Sequence, residues 1–78
     1  MPRLPRVSGK QVIKALRKKG YDVFNIRGSH HYLHRWEGDR WSPIVTVPVH
    51  GNKILKLKTL KNILKQADLS VEEFIELL

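Results

Sequence analysis

The chain has 78 residues, no cysteine, and 15 Lys and Arg residues against 7 Asp and Glu, which gives a net charge of +8 with neutral histidines. This length suffices for one small domain, because a chain this short buries too little surface for two cores. The lack of cysteine excludes disulfides and thiolate metal sites, and the apolar runs are too short for a membrane span or a secretory signal. We expect one cytoplasmic domain over residues 1–78, with residues 1–6 as a loose tail.

The excess of positive charge indicates the class of partner. A small domain with this imbalance attracts polyanions, because neutralising phosphates releases their condensed counterions. Nucleic acid is therefore the expected partner, although a basic surface can also serve solubility alone. The acidic residues include no pair of carboxylates suited to a two-metal nuclease. We expect any nuclease activity to need neither a metal nor a cofactor.

A helix is predicted at the start of the chain. Ser8 followed three residues later by Gln11 is a capping-box pattern, which predicts a helix from about Gly9. Gly20 is suited to end this helix, because glycine readily adopts the positive φ of the residue after a helix. The apolar residues fall on one face and the lysines elsewhere, so the helix is amphipathic.

The middle of the chain predicts three strands. Residues 21–27, 30–36 and 43–49 are rich in β-branched and aromatic residues and are separated by turn residues. Gly28-Ser29 would link the first two strands tightly, and residues 37–42 would form a longer hairpin loop. We therefore expect an antiparallel meander of three strands.

Two more helices are predicted after the strands. The first is amphipathic and begins near Lys58 or Thr59, and Ser70 with Glu73 repeats the capping-box pattern before a short C-terminal helix. The fold class is α+β in the order α-β-β-β-α, with a three-stranded antiparallel sheet and the two main helices on one of its faces. This layout resembles double-stranded-RNA-binding domains, a likeness that does not by itself give a function.

The histidine-rich stretch GSHHYLHRW, residues 28–36, is the strongest candidate for chemistry. Alternation along a strand puts His30, Tyr32, His34 and Trp36 on one face and His31 with Leu33 on the other. A zinc site is disfavoured, because His30 and His34 would lie about 13 Å apart along the strand. The remaining interpretations are packing on the sheet, and for His30, beside the turn, a solvent-accessible imidazole.

An accessible imidazole among basic groups suits RNA cleavage without metal. In that reaction the ribose 2′-hydroxyl attacks the adjacent phosphodiester, so the protein must move protons and stabilise negative charge. Histidine provides the proton transfer near neutral pH, and Lys and Arg hold the phosphate. The residues alone leave open a second possibility, RNA binding without chemistry, and a third, an interaction protein whose open sheet face docks another chain.

Nearly the whole chain resembles the HicA family of small toxins. The matching motifs, in order, are KKGY at residues 18–21, RGSHH at 27–31, VTVPVHG at 45–51, LKNILKQA at 60–67 and LSVEEF at 69–74. The combination of GSHH with the later PVHG in so short a chain is specific. Two positions depart from the family pattern: Lys58 and Asp68 stand where glycine is frequent, so we expect differences at helix ends.

The resemblance implies a ribonuclease toxin of a type II toxin–antitoxin pair that cleaves mRNA and inhibits translation. It implies a HicB-type antitoxin as partner, and the histidine after Gly-Ser, His30, as the catalytic residue. Arg27, Ser29, Lys53 and Lys58 lie close in sequence to the two motifs and are the expected RNA-binding residues. We expect no metal ligands and a monomer when the protein is free.

Overall fold

The computed structural model describes residues 3–78 as six elements in the predicted α+β order. They are α1 (Gly9–Lys18), β1 (Asp22–Arg27), β2 (His30–His34), β3 (Val45–Pro48), α2 (Leu57–Gln66) and α3 (Val71–Leu77). The strands are shorter than predicted by one to three residues. Helix α2 begins at Leu57, slightly earlier than the prediction of Lys58 or Thr59.

Both ends of α1 form as the sequence predicts. The Ser8 hydroxyl accepts a hydrogen bond from the Gln11 N–H (3.3 Å), and the Gln11 side chain accepts one from the Ser8 N–H (2.8 Å). At the other end Gly20 has φ +96°, and the N–H groups of Gly20 and Tyr21 donate to the last free carbonyls of the helix. This is the Schellman arrangement, which needs a left-handed residue where glycine stands.

Helix α2 ends in the same arrangement with Asp68 in place of glycine. Asp68 has φ +53°, and the N–H of Leu69 donates to the Leu64 carbonyl at 2.9 Å. A non-glycine residue in this conformation is strained, and its carboxylate lies at the negative end of the helix dipole. The expected effect of the Asp68 departure is therefore visible as local strain, while the helix end keeps its geometry.

Helix α3 begins with the predicted capping box of Ser70 and Glu73. The backbone N–H of Ser70 donates to the Glu73 carboxylate at 3.0 Å, and this bond, with the Ser70 hydroxyl, holds the pKa of that carboxyl below its usual range. The same carboxylate lies 4.0 Å from the Lys19 ammonium at the end of α1. The contact is solvent-exposed, so it contributes little to stability.

The three strands form one antiparallel sheet in the order β1-β2-β3. The two-residue link at Gly28-Ser29 pairs Arg27 with His30, and a β-bulge between Val23 and Asn25 shifts the register further along β1. As a result Val23, rather than Phe24, lies opposite Leu33. Strand β2 is central, so both of its neighbours fix the direction of its side chains.

The helices cover one face of the sheet and leave the other open, as predicted. Leu33, Val45 and Val47 are fully buried under the helices, and Phe74 of α3 is the largest fully buried side chain. Residues 1 and 2 of the segment predicted as a loose tail lie outside the described range. Leu4 of the same segment is half-buried and packs against the core.

The start of α1 packs against the end of β3. A Cβ atom placed on Gly9 would overlap the carbonyl oxygen of Pro48, so glycine alone allows this approach. Beside it, the N–H of Leu55 donates to the Val7 carbonyl at 2.8 Å, and Ser8 pairs with Ile54 as an isolated bridge. These contacts fix the segment between β3 and α2 next to the sheet.

Candidate active site on the open sheet face

The turn between β1 and β2 presents the GSHH motif at one end of these two strands. Gly28 has φ +57°, and a Cβ atom added to it would meet no other atom within 4 Å, so the backbone conformation, not space, favours glycine. The carbonyl of Ser29 accepts a hydrogen bond from the Val49 N–H at 2.7 Å. The turn is thereby tied to the chain that leaves β3.

His30 and His31 point to opposite faces of β2. His30 is exposed at the start of the strand and lies across from Arg27 on β1 and Pro48 on β3. His31 is half-buried on the face that carries Leu33, and its Nδ1 lies 3.4 Å from the Ser29 carbonyl oxygen. Of this pair, His30 is the imidazole on the open face, as alternation predicted.

Each cross-strand neighbour of His30 lines a shallow groove. Pro48 borders a groove of about 300 Å³ that is also lined by His50, Lys53 and Lys56. Lys58 is exposed in the first turn of α2 and does not line this groove. Of the two predicted lysines, only Lys53 lines the groove that Pro48 borders, and Lys56 lines it as well.

The second groove lies on the Arg27 side. Its volume is about 280 Å³, and Arg27, Phe24, Tyr32 and Ile44 contribute to its walls. Tyr32 is the next residue after His30 on the open face of β2, and it pairs with Asn25 and Thr46. His30 therefore stands between a groove with two lysines and a groove with one arginine and apolar walls.

An aromatic cluster, formed by Phe24, His34, Trp36 and Trp41, occupies the far end of the open face. His34 stacks on Phe24 with ring centroids 4.1 Å apart and on Trp41 at 3.8 Å. Trp36 meets Trp41 edge-on at 5.1 Å. Tyr32 and the cluster share the face of the sheet that carries His30.

The positive charge is largely unpaired within the described part of the chain. Three cations form ion pairs there: Lys19 with Glu73, Arg35 with Glu37, and Arg40 with its neighbour in sequence Asp39, at 3.0 Å. Exposed cations also cover the outer sides of both main helices: Lys10, Lys14, Arg17 and Lys18 on α1, and Lys58, Lys61 and Lys65 on α2. The molecule thus offers basic surface on both sides of the sheet.

Among residues 3–78, no group of three or more His, Asp or Glu side chains is placed to hold a metal ion. A groove of about 800 Å³ lies between the N-terminal segment, α2 and α3, and its lining contains no histidine. No helix among the same residues is long and apolar enough to cross a membrane.

The sequence interpretation missed Trp41, Phe24 and Lys56 as residues of this face. Trp41 lies in the loop after β2, so the alternation of side chains along a strand does not predict its direction. Phe24 lies at the β-bulge, which interrupts the regular alternation of β1. Lys56 is the N-cap residue of α2 and makes no side-chain hydrogen bond to the helix end. Its place in the groove could not be predicted, because it depends on the observed start of α2 at Leu57. The presence of two tryptophans within six residues was the one available signal for the cluster.

Comparison with known proteins identifies the family of this chain. A search of curated proteins finds no significant match. A family model described as the HicA toxin of bacterial toxin–antitoxin systems matches residues 9–69, which span α1, the whole sheet and α2. Because this match covers well over half of the chain, including the GSHH turn and both grooves, the protein belongs to the HicA family of toxins.

Proposed function

We propose that this toxin is a metal-independent endoribonuclease that cleaves mRNA in the cytoplasm and inhibits translation, with His30 as general acid or base. The observation that carries the proposal is the exposed imidazole of His30 between Arg27 and Pro48, each of which lines a groove. Family membership supports a toxin, and the net charge of +8 supports a polyanionic target.

The open face supplies what cleavage by the 2′-hydroxyl requires. One proton must leave the 2′-oxygen as it bonds to phosphorus, and another must reach the 5′-oxygen as its bond breaks, which leaves a 2′,3′-cyclic phosphate and a 5′-hydroxyl. His30 performs one of these transfers. The Arg27 guanidinium, across the strand pair, stabilises the charge that develops on the phosphate. His50 offers a second exposed imidazole in the groove beside Pro48.

Incubation of the purified protein with RNA tests the proposal directly. We expect cleavage that persists in EDTA and yields 2′,3′-cyclic phosphate ends, because the attacking group belongs to the RNA. The same RNA with 2′-O-methyl groups at every position should stay intact. Cleavage of the methylated RNA, or complete inhibition by EDTA, would require a different mechanism.

Lys53 and Lys56 are proposed to hold phosphates beside His30, together with Arg27 and the Ser29 turn. Lys58, which lies outside this groove, is proposed to contact RNA from the first turn of α2. Replacing both Lys53 and Lys56 with alanine should lower cleavage about tenfold through a higher KM. In a plot of the logarithm of the binding constant against the logarithm of the salt concentration, the slope should decrease in magnitude by about 0.7 for each phosphate of single-stranded RNA that the variant no longer neutralises. A binding assay at several salt concentrations measures this slope.

A matched pair of lysines on the helix side provides the control. Lys61 and Lys65 are exposed on α2 and line the groove that lies away from His30. Their double alanine variant removes the same charge from the other side of the molecule. Equal losses in the two double variants would show that only net charge matters, and would contradict a phosphate path beside His30.

RNA binding without cleavage is the second candidate function. The observation that favours it is the set of exposed cations on the outer sides of α1 and α2, since double-stranded RNA is recognised by shape and phosphate contacts. This function predicts salt-sensitive binding of duplex RNA that remains intact after long incubation. In that case the Lys61 and Lys65 variant, not the Lys53 and Lys56 variant, should lose affinity.

Membership in a toxin family implies an antitoxin partner, and we propose one of the HicB type that binds the free monomeric toxin. An acidic antitoxin surface over His30 would block access and neutralise the surrounding positive field together. A small neighbouring gene whose product restores growth in cells that express the toxin would support this partner.

A further inference from the structure

The aromatic cluster exposes more apolar surface than the fold requires. The side chains of Trp36, Trp41 and Phe24 are 53%, 55% and 44% exposed, and the nearby Ile44 is 54% exposed. The helices pack on the opposite face, so no helix among residues 3–78 covers these rings. Contiguous apolar surface of this kind on a small protein indicates a binding site.

Ring stacking stabilises the hairpin but does not account for the exposure. Aromatic pairs attract each other beyond the effect of area burial, which explains why Phe24, His34 and Trp41 lie nearly parallel. These contacts involve only the inner surfaces of the rings, so they do not require the outer surfaces to be exposed. The exposed parts are therefore available to a planar ligand.

The distribution of charge along the open face separates two kinds of contact. Arg27 lies directly across from His30, and Lys53 lines the groove beside Pro48, where phosphates are proposed to bind. At the cluster end, Asp39 is paired with Arg40, and Asp22 lies directly across from His34. A carboxylate at this position disfavours a phosphate but not an uncharged ring. The cluster end thus suits the base of a nucleotide better than its phosphate.

We propose that the aromatic cluster binds an unpaired base of single-stranded RNA and so positions the strand across His30. His34 lies about 13 Å along β2 from His30, with Tyr32 between them on the same face. Bases inside a duplex present no free ring face, so stacking selects single strands. The inference rests on the proposed RNA substrate and assigns to it a second contact, away from the chemistry.

Tryptophan fluorescence reports on this site directly, because both tryptophans of the chain belong to the cluster. The probe is a 2′-O-methyl RNA of about 12 nucleotides, within the usual size of single-strand sites and resistant to attack by the 2′-oxygen. We expect it to quench the fluorescence on binding. A duplex of the same length, and a strand of equal charge that lacks bases, should bind without comparable quenching.

Substitution of Trp41 tests the contact by affinity, measured by anisotropy of a labelled probe. Stacking contributes about 1–3 kcal/mol per base, so Trp41→Ala should weaken binding of the single strand by about 5- to 140-fold. Trp41→Phe keeps a ring and should retain most of the affinity. Leu57→Ala removes an apolar side chain of similar exposure (40%) on α2 and should change nothing.

Equal quenching by the strand without bases would overturn the proposal, as would unchanged affinity in Trp41→Ala. If Trp41→Ala binds RNA normally but no longer binds the antitoxin, the cluster is a protein interface and not a base site. Because the methylated probe cannot be cleaved by its own 2′-oxygen, base binding can be observed even if the protein proves not to be a ribonuclease. The two proposals therefore fail separately.

Discussion

The His30→Ala variant is expected to lose RNA cleavage by about 100-fold or more while keeping its fold. General acid–base catalysis by one side chain contributes about 10²–10⁴-fold, and His30 is the exposed imidazole that faces Arg27 across the strand pair. Truncating an exposed side chain leaves the core intact, so circular dichroism and the melting temperature should match those of the parent protein. Cleavage of a defined RNA, measured under single-turnover conditions, gives the rate.

His31→Ala is the matched control, since it removes the same chemical group one residue along the chain. His31 is half-buried on the opposite face of β2, so its loss should cost some stability and leave the cleavage rate within a few-fold of the parent rate once the protein is folded. Growth arrest in cells should follow the same order. Full cleavage by His30→Ala would remove His30 from the mechanism, whatever the result for His31.

Phe74→Ala is expected to give the largest loss of stability. Phe74 is fully buried, and truncating a buried phenylalanine costs about 3–5 kcal/mol through lost burial and the cavity that remains. A domain of this size is stable by only about 4–12 kcal/mol at the usual value per residue, so much of the folded population should disappear at elevated temperature. Urea denaturation followed by circular dichroism measures the change.

Ile75→Ala is the control for this prediction because it shortens the neighbouring side chain of α3, which is 39% exposed. It should cost less than about 1 kcal/mol. At a temperature where Phe74→Ala remains folded, the cleavage rate of Phe74→Ala should approach that of the parent protein, because Phe74 lies on the helix side of the sheet and not on the open face. A small loss of stability in Phe74→Ala would mean that α3 contributes little to the core.

The position of Phe74 shows that the core extends beyond the part of the chain that matches the family model. The family match ends at residue 69, before α3 begins at Val71. The largest fully buried side chain of the core nevertheless comes from α3. The C-terminal helix is therefore an integral part of this domain, although the match to the family model ends before it.

Local signals predicted the element order and the capped starts of α1 and α3 because those features depend on residues close in sequence. The capping boxes at Ser8 and Ser70 formed as predicted, since the hydrogen bonds join positions three residues apart. The two-residue turn at Gly28 likewise fixed the pairing of Arg27 with His30. The face of His30 followed from alternation starting at that pair.

The strand register beyond the turn was decided by the tertiary structure. Regular pairing counted from Gly28-Ser29 would place Phe24 opposite Leu33, on the buried face. The bulge places Val23 there instead, where a smaller side chain packs under the helices, and Phe24 stacks on His34. A bulge depends on which arrangement packs best against the helices, so alternation in one strand could not predict it.

The sequence by itself determined the α+β class, the family, the turn that presents His30 and the net positive charge. Only the tertiary structure decided which lysines line the groove beside Pro48, the cross-strand neighbour of His30. The helix start at Leu57 and the contacts of residues 53–56 with the N-terminal segment place Lys56, and not Lys58, in that groove. The tertiary structure also assembled the aromatic cluster from two strands and a loop. Local hydrogen bonds and turn geometry depend on residues that are neighbours in sequence, whereas a surface formed by residues far apart in sequence depends on how the whole chain packs.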